Sequence, residues 1–241
     1  MFVDAHCHLN YPPLNERVAE VLEKCKEKRV LKVFNTATSF EENFKVLETA
    51  SNFKGLVYPV LGISPHHASE EGVEEKLEKI LTLIEKERPP AIGEVGLDFH
   101  GEYDKQRQYK IFESQLQLAQ TLDLPVVVHS RNAERECLQK MVEFKVRGVF
   151  HFFLVPELVS EVKGKFLISI PTIKSKKRER VIKKAGVEGV LCETDSPFAW
   201  SGVNEPSNVI EVYDKISSTL HLQPEIVQEK IWENAKNFFR V

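Results

Sequence analysis

Short apolar runs rich in Val, Ile and Phe alternate along the 241 residues with longer segments whose apolar residues recur every three or four positions. The runs predict strands over 2–5, 31–37, 56–63, 91–95, 125–129, 149–152, 166–170 and 190–193, each too short for a helix and rich in β-branched and aromatic residues. The segments between them predict amphipathic helices. Leu14, Val18, Val21, Leu22 and Cys25 fall on one helical face, and Phe112, Leu116, Ala119 and Leu122 on another. Strand ends recur every 19 to 35 residues along the chain, the spacing of repeated strand-helix units that build a parallel sheet covered by helices. Eight units predict an α/β chain folded as one (β/α)8 TIM barrel, a single domain over 1–241 with extra C-terminal helices from about Val209. The competing fold is a doubly wound open sheet, which normally carries a Gly-rich phosphate loop after an early strand. Neither G-x-G-x-x-G nor G-x-x-x-x-G-K-[ST] occurs.

Composition narrows the setting. Lys plus Arg at 33 against Asp plus Glu at 36 leaves a formal charge of -3, so no global electrostatic grip on nucleic acid is visible. Cys7, Cys25, Cys137 and Cys192 are widely spread and form no C-x-x-C pair, which points to a reducing, cytoplasmic setting. The first residues lack a basic stretch followed by an apolar one, and no apolar run reaches 18 residues. A soluble chain with no membrane partner is expected. The oligomeric state stays open, and a monomer fits.

The chemistry gathers at the strand ends. The first strand runs into His6-Cys7-His8, whose i, i+2 spacing puts two imidazoles on one side. By itself an H-x-H pair is more often a hydrogen-bonded surface or core pair than a chelate. Four further strand ends, however, supply Glu94, His129, His151 and Asp195. Each has an ordinary structural reading alone, since His129 can bond backbone, Glu94 can pair with Arg131 and Asp195 can cap a helix. Together they put four histidines and two carboxylates at the barrel mouth where active sites lie, and such groups cost desolvation unless paired or ligated. Six N/O donors exceed what one cation usually takes, whereas a bridging carboxylate serves two cations about 3.5–4 Å apart. A two-metal hydrolytic centre follows, and its donor set admits Zn, Mn, Mg, Co or Ni.

Along most of its length the chain resembles the TatD-type metal-dependent deoxyribonucleases of the amidohydrolase-like superfamily. The resemblance rests on Asp4-Ala5-His6-Cys7-His8-Leu9, Gly62-Ile63-Ser64-Pro65-His66 and Ile92-Gly93-Glu94-Val95-Gly96-Leu97-Asp98-Phe99. It continues through Gln106-Arg107-Gln108, Leu124-Pro125-Val126-Val127-Val128-His129-Ser130-Arg131, Glu193-Thr194-Asp195-Ser196-Pro197 and Asn234-Ala235. It implies that His6, His8, Glu94 and Asp195 hold one ion while Glu94, His129 and His151 hold the other, with Glu94 bridging. Three loops depart from the family pattern. His151-Phe152-Phe153-Leu154-Val155 replaces His-Cys-Phe-Ser-Gly, Ser64-Pro65-His66 replaces His-Pro-His, and the stretch from Ser201 to Pro206 is shortened.

Within this centre Glu94 and Asp195 are the catalytic candidates, Asp195 either accepting a proton from the attacking water or serving purely as a ligand. His66 and Arg131, in loops just past strand ends, are candidate phosphate contacts, although Arg131 can instead pair with Glu94 or Asp98. The run 174–184 carries seven basic residues against one acidic; it is either a nucleic-acid contact, with Lys174 nearest the site, or a solvated helix face. Phe152, Phe153, Phe238 and Phe239 read as core, and Cys7 and Cys192 as small buried residues. The expected activity is removal of nucleotides from DNA ends, 3′ to 5′ by the resemblance, with DNA or a small phosphodiester as partner. Amide, ester or lactone hydrolysis by the same metals is the alternative, and a metal-stabilised binding protein is a third.

Overall fold

Each predicted strand forms. In the computed structural model, which describes residues 1–101 and 104–241, the strands are β1 (Phe2–Cys7), β2 (Val30–Thr36), β3 (Val57–Leu61), β4 (Ala91–Asp98), β5 (Val126–Arg131), β6 (Gly148–Phe150), β7 (Leu167–Ile170) and β8 (Val190–Cys192). All pair in parallel, in sequence order from β1 to β8. The helices are α1 (Val18–Glu27), α2 (Phe40–Asn52), α3 (Val73–Glu87), α4 (Lys105–Leu122), α5 (Glu134–Glu143), α6 (Val159–Val162), α7 (Lys176–Ala185), α8 (Ile210–Leu220) and α9 (Pro224–Phe239). The ends of the sheet meet just past β8, where Asp195 N–H donates to His6 O (3.0 Å) and His8 N–H to Ser196 O (2.7 Å). The residue that closes the barrel is thus one of the six site candidates.

Alternation sorts the side chains into two layers. Val33, Ile92, Val95, Val126, Val128 and Phe150 pack outward against the helices. Val3, Ala5, Phe34, Val60, Ala91, Val127, Val149 and Leu191 fill the inside, each large side chain stabilising the fold by about 1.5–3 kcal/mol on burial. The last helix, α9, plugs the N-terminal end of the barrel: Phe239 stacks on Phe34 with ring centroids 3.6 Å apart, and Asn234 Nδ2 donates to Val187 O and Val190 O at the entrance to β8. No helix among the described residues is long and apolar enough to cross a membrane.

Two irregularities in the sheet turn polar residues inward. Asp4 and Cys7 of β1 pair with Val33 and Asn35 of β2, and Ile92 and Val95 of β4 with Val126 and Val128 of β5, three steps against two in each case. An extra residue flips every later side chain to the other face. Val3 and Ala5 point inward before the first bulge, and His6 and His8 do so after it. Ala91 points inward before the second, and Glu94 and Asp98 after it.

Candidate metal centre

The six candidate ligands converge at the C-terminal mouth of the barrel. His6 and His8 come from the end of β1, Glu94 from β4, His129 from β5, His151 from just past β6 and Asp195 from just past β8. His6, His8, Glu94 and His151 are buried, while His129 and Asp195 are half-buried. Glu94 divides its carboxylate between two sides. Its Oε2 lies 3.8 Å from His6 Nε2 and 3.7 Å from His8 Nε2, whereas Oε1 lies 2.6 Å from His129 Nδ1 and 3.2 Å from His151 Nε2. Asp195 Oδ1 completes the first side, 3.6 Å from His6 Nε2 and 3.3 Å from His8 Nε2.

The donor chemistry fits divalent cations on both sides. His8 Nδ1 donates to the Thr36 carbonyl at 2.9 Å, which aims Nε2 at His6 Nε2, 3.1 Å away, and at the two carboxylates. His129 gives Nε2–H to Asp98 Oδ2 at 3.1 Å, so Nδ1 faces Glu94. A neutral imidazole that spends its N–H this way presents a bare electron pair from the other nitrogen, the form in which histidine ligates metal. Three trios of donor atoms lie within 4.8 Å of one another: His6, Glu94 and His151; His6, His8 and Asp195; and His66, Glu94 and His129.

The titrations report the same field. Burial opposes charging of His8, yet Asp195 and Glu94 overcome it and raise its pKa to about 9. His129 and His151 are also raised, burial again being outweighed, by Asp98 and Glu94 for His129 and by Glu94 and Glu193 for His151. His6 goes the other way, lowered by burial and by His151 and His8 beside it. Burial works to neutralise Glu94, but His151 and His129 hold it well below the ordinary carboxylate range. Carboxylates concentrated here draw positive charge, and protons and metal ions compete for the same nitrogens.

The expected substrate contacts sort differently. His66 sits at the mouth with Nε2 3.0 Å from Asp98 Oδ2. Arg131 is exposed and makes no ion pair with Glu94 or Asp98; it lines a cleft of about 510 Å³ with His129, His151 and Asp195. Lys174 is not in that cleft. It lies beside Trp200 in a neighbouring cavity of about 360 Å³, and Lys177 takes its place among the cleft residues. Elsewhere in the basic run Arg178 is buried against Glu211, Lys184 donates to Pro156 O, and the exposed Lys183 and Arg180 pair with Glu179 and Glu157. Phe153, Phe238 and Phe239 are core as expected, but half-buried Phe152 lines the cleft.

Two acids went unassigned in the sequence. Asp98 bonds both His66 and His129, and Glu193 Oε1 accepts from Phe152 N (2.5 Å) and lies 3.7 Å from His151 Nδ1. Each stands next to an assigned strand end, Asp98 four residues after Glu94 on the same face of β4 and Glu193 two before Asp195. That periodicity was the available signal.

With this geometry in place, comparison with known proteins is decisive. The family model for TatD related DNase matches residues 3–240. The chain belongs to the TatD-related DNase family. An uncharacterized metal-dependent hydrolase, MJ1582 of Methanocaldococcus jannaschii, is 32% identical over 248 residues, covering 99% of this chain and 97% of that protein. The 3'-5' ssDNA/RNA exonuclease TatD of Yersinia pseudotuberculosis is 28% identical over 244 residues, covering 92% and 93%. The crystal structure of YjjV, a TatD homolog from Escherichia coli, superposes with a TM-score of 0.90 at 24% identity, covering 100% of this chain and 98% of that one. This likeness confirms the barrel.

Proposed function

We propose that the protein is a divalent-metal-dependent phosphodiesterase that removes nucleotides from DNA 3′ ends, with two cations drawn from Zn, Mn, Mg, Co or Ni. The observation that carries the proposal is the division of Glu94, whose Oε2 faces His6 and His8 and whose Oε1 faces His129 and His151. When bound, the cations would lower the pKa of a water and neutralise charge on the phosphoryl oxygens. The chain's own groups do the rest. Glu94 serves both cation positions. Asp195 is the proton acceptor, because its side chain is 14% exposed against 4% for Glu94 and so is the carboxylate that water reaches. Asp98 fixes the ring orientations of His129 and His66. Arg131, exposed in the cleft and unspent on either acid, binds the phosphodiester, with His66 in the adjoining cavity that His129 also lines.

One chain supplies every residue of the site, so a monomer suffices, and four buried, unpaired cysteines fit a reducing, cytoplasmic compartment. The test is hydrolysis of 5′-labelled single-stranded DNA, beside amide and lactone substrates, with a divalent cation and after chelation. Stepwise shortening from the 3′ end that stops on chelation supports the proposal. Turnover of the amide or lactone with intact DNA overturns it.

A further inference from the structure

Of the large apolar side chains exposed among the described residues, half stand in two loops at the barrel mouth: Tyr11 after β1, and Phe198, Trp200 and Val203 after β8. Exposed aromatic rings grouped beside a polar site mark a binding surface, because scattered ones are ordinary and clustered ones are not. Phe198 touches the metal centre directly. Its ring lies 6.0 Å from that of His8 and 5.0 Å from that of Tyr11. Both contacts are edge-on rather than stacked, and Phe198 and Tyr11 remain 43% and 42% exposed. Trp200 follows two residues later, with Lys174 Nζ 5.9 Å from its ring centroid.

The exposure does not come from a loose loop. Asn204, itself buried, ties it down: its Nδ2 donates to Thr194 O and to Phe198 O, both at 2.8 Å, and its backbone N–H to Pro197 O at 3.1 Å. Phe198 N–H donates to Asp195 O at 2.9 Å. Phe198 is therefore held at a fixed offset from the proposed proton acceptor.

We infer that Tyr11, Phe198 and Trp200 are a nucleobase platform, on which the bases next to the cleaved phosphate of single-stranded DNA stack while that phosphate lies at the Glu94 centre. The inference rests on the phosphodiesterase reading and adds a second determinant of substrate. Rings of this kind accept any base face but only an unpaired one, since a duplex already covers both faces. Lys174, beside Trp200, supplies a cation for the backbone of the strand. This also accounts for Lys174 lying outside the metal cleft.

The chain has two tryptophans, and Trp232 lies on α9 at the opposite end of the barrel. In the full chain carrying Trp232→Phe, fluorescence therefore reports Trp200 alone. Titration with a single-stranded oligonucleotide in EDTA should quench it. The same strand made abasic at its last three 3′ nucleotides should not. Phe198→Ala and Trp200→Ala should each raise KM for the base-bearing strand about tenfold with kcat little changed, Phe198→Tyr and Trp200→Phe should restore it, and none should alter KM for the abasic strand. Equal binding of both strands, or Ala variants with unchanged KM, overturns the platform. Quenching by a strand that is never hydrolysed would leave the platform standing and remove the nuclease reading instead. Hydrolysis with neither quenching nor an effect of the variants would do the reverse.

Discussion

Asp98 holds His129 from behind. The carboxylate Oδ2 lies 3.1 Å from His129 Nε2, and the opposite nitrogen, Nδ1, is thereby turned to Glu94 Oε1 at 2.6 Å. The same oxygen lies 3.0 Å from His66 Nε2, so one acid orients two imidazoles at the mouth. Burial opposes charge on Asp98, yet His129 and His66 keep it ionised far below the usual range.

Asp98→Asn should therefore weaken metal binding on the His129 side by about 10–100-fold, the usual cost of losing a carboxylate behind a ligating imidazole. The fold should survive. Titration of chelator-treated protein followed by calorimetry checks this, and unchanged affinity would show that the pair serves packing alone.

Asp195→Asn removes the proposed proton acceptor while keeping the side-chain volume. Turnover should fall by about 10²–10⁴-fold, with cation binding at Glu94, His129 and His151 retained. Metal content measured beside DNA hydrolysis separates the roles. Loss of both cations would make Asp195 a ligand only, and retained turnover would remove it from the mechanism.

Metal uptake should release protons. Asp195 and Glu94 raise the His8 pKa to about 9, so at pH 7 its ring holds a proton that a cation must displace, and the neighbouring acids shift His129 and His151 in the same direction. Apparent affinity should therefore rise with pH and level off near 9. Calorimetry in two buffers of different ionisation enthalpy reads the release directly, and identical heats in both would contradict it.

Gly96 lies between Glu94 and Asp98 with φ +140°, and a Cβ there would come within 2.0 Å of the His129 carbonyl oxygen. Gly96→Ala must force β4 and β5 apart under the metal centre. A loss of more than about 4 kcal/mol is expected, in the exceptional range for one substitution, and an unchanged thermal midpoint would rule out the strain.

The barrel was legible in the sequence because each strand is short, apolar and bounded, and each helix has a clear face. β4 and β5 extend to Asp98 and Arg131, beyond the expected ends at 95 and 129, because the ladder continues past the apolar runs through Leu97 with Ser130 and Asp98 with Arg131. All six ligand candidates meet, yet the reason is hidden in the sequence. Strict alternation from Val3 and Ala5 would turn His6 outward, and from Ala91 it would turn Glu94 outward; bulges against β2 and β5 reverse both. A bulge depends on the partner strand's register, which one strand's residues do not encode. The roles within the basic run are hidden for a similar reason. Lysine and arginine at helical spacing look alike in sequence, but Arg178 turns inward to Glu211, a residue 33 positions away on α8.

The most direct measurement is DNA hydrolysis by chelator-stripped protein as Mn or Zn is added back in known molar steps. The divided Glu94 carboxylate predicts activity that climbs with added metal and saturates at two cations per chain. Saturation at one, or hydrolysis that needs none, would contradict it.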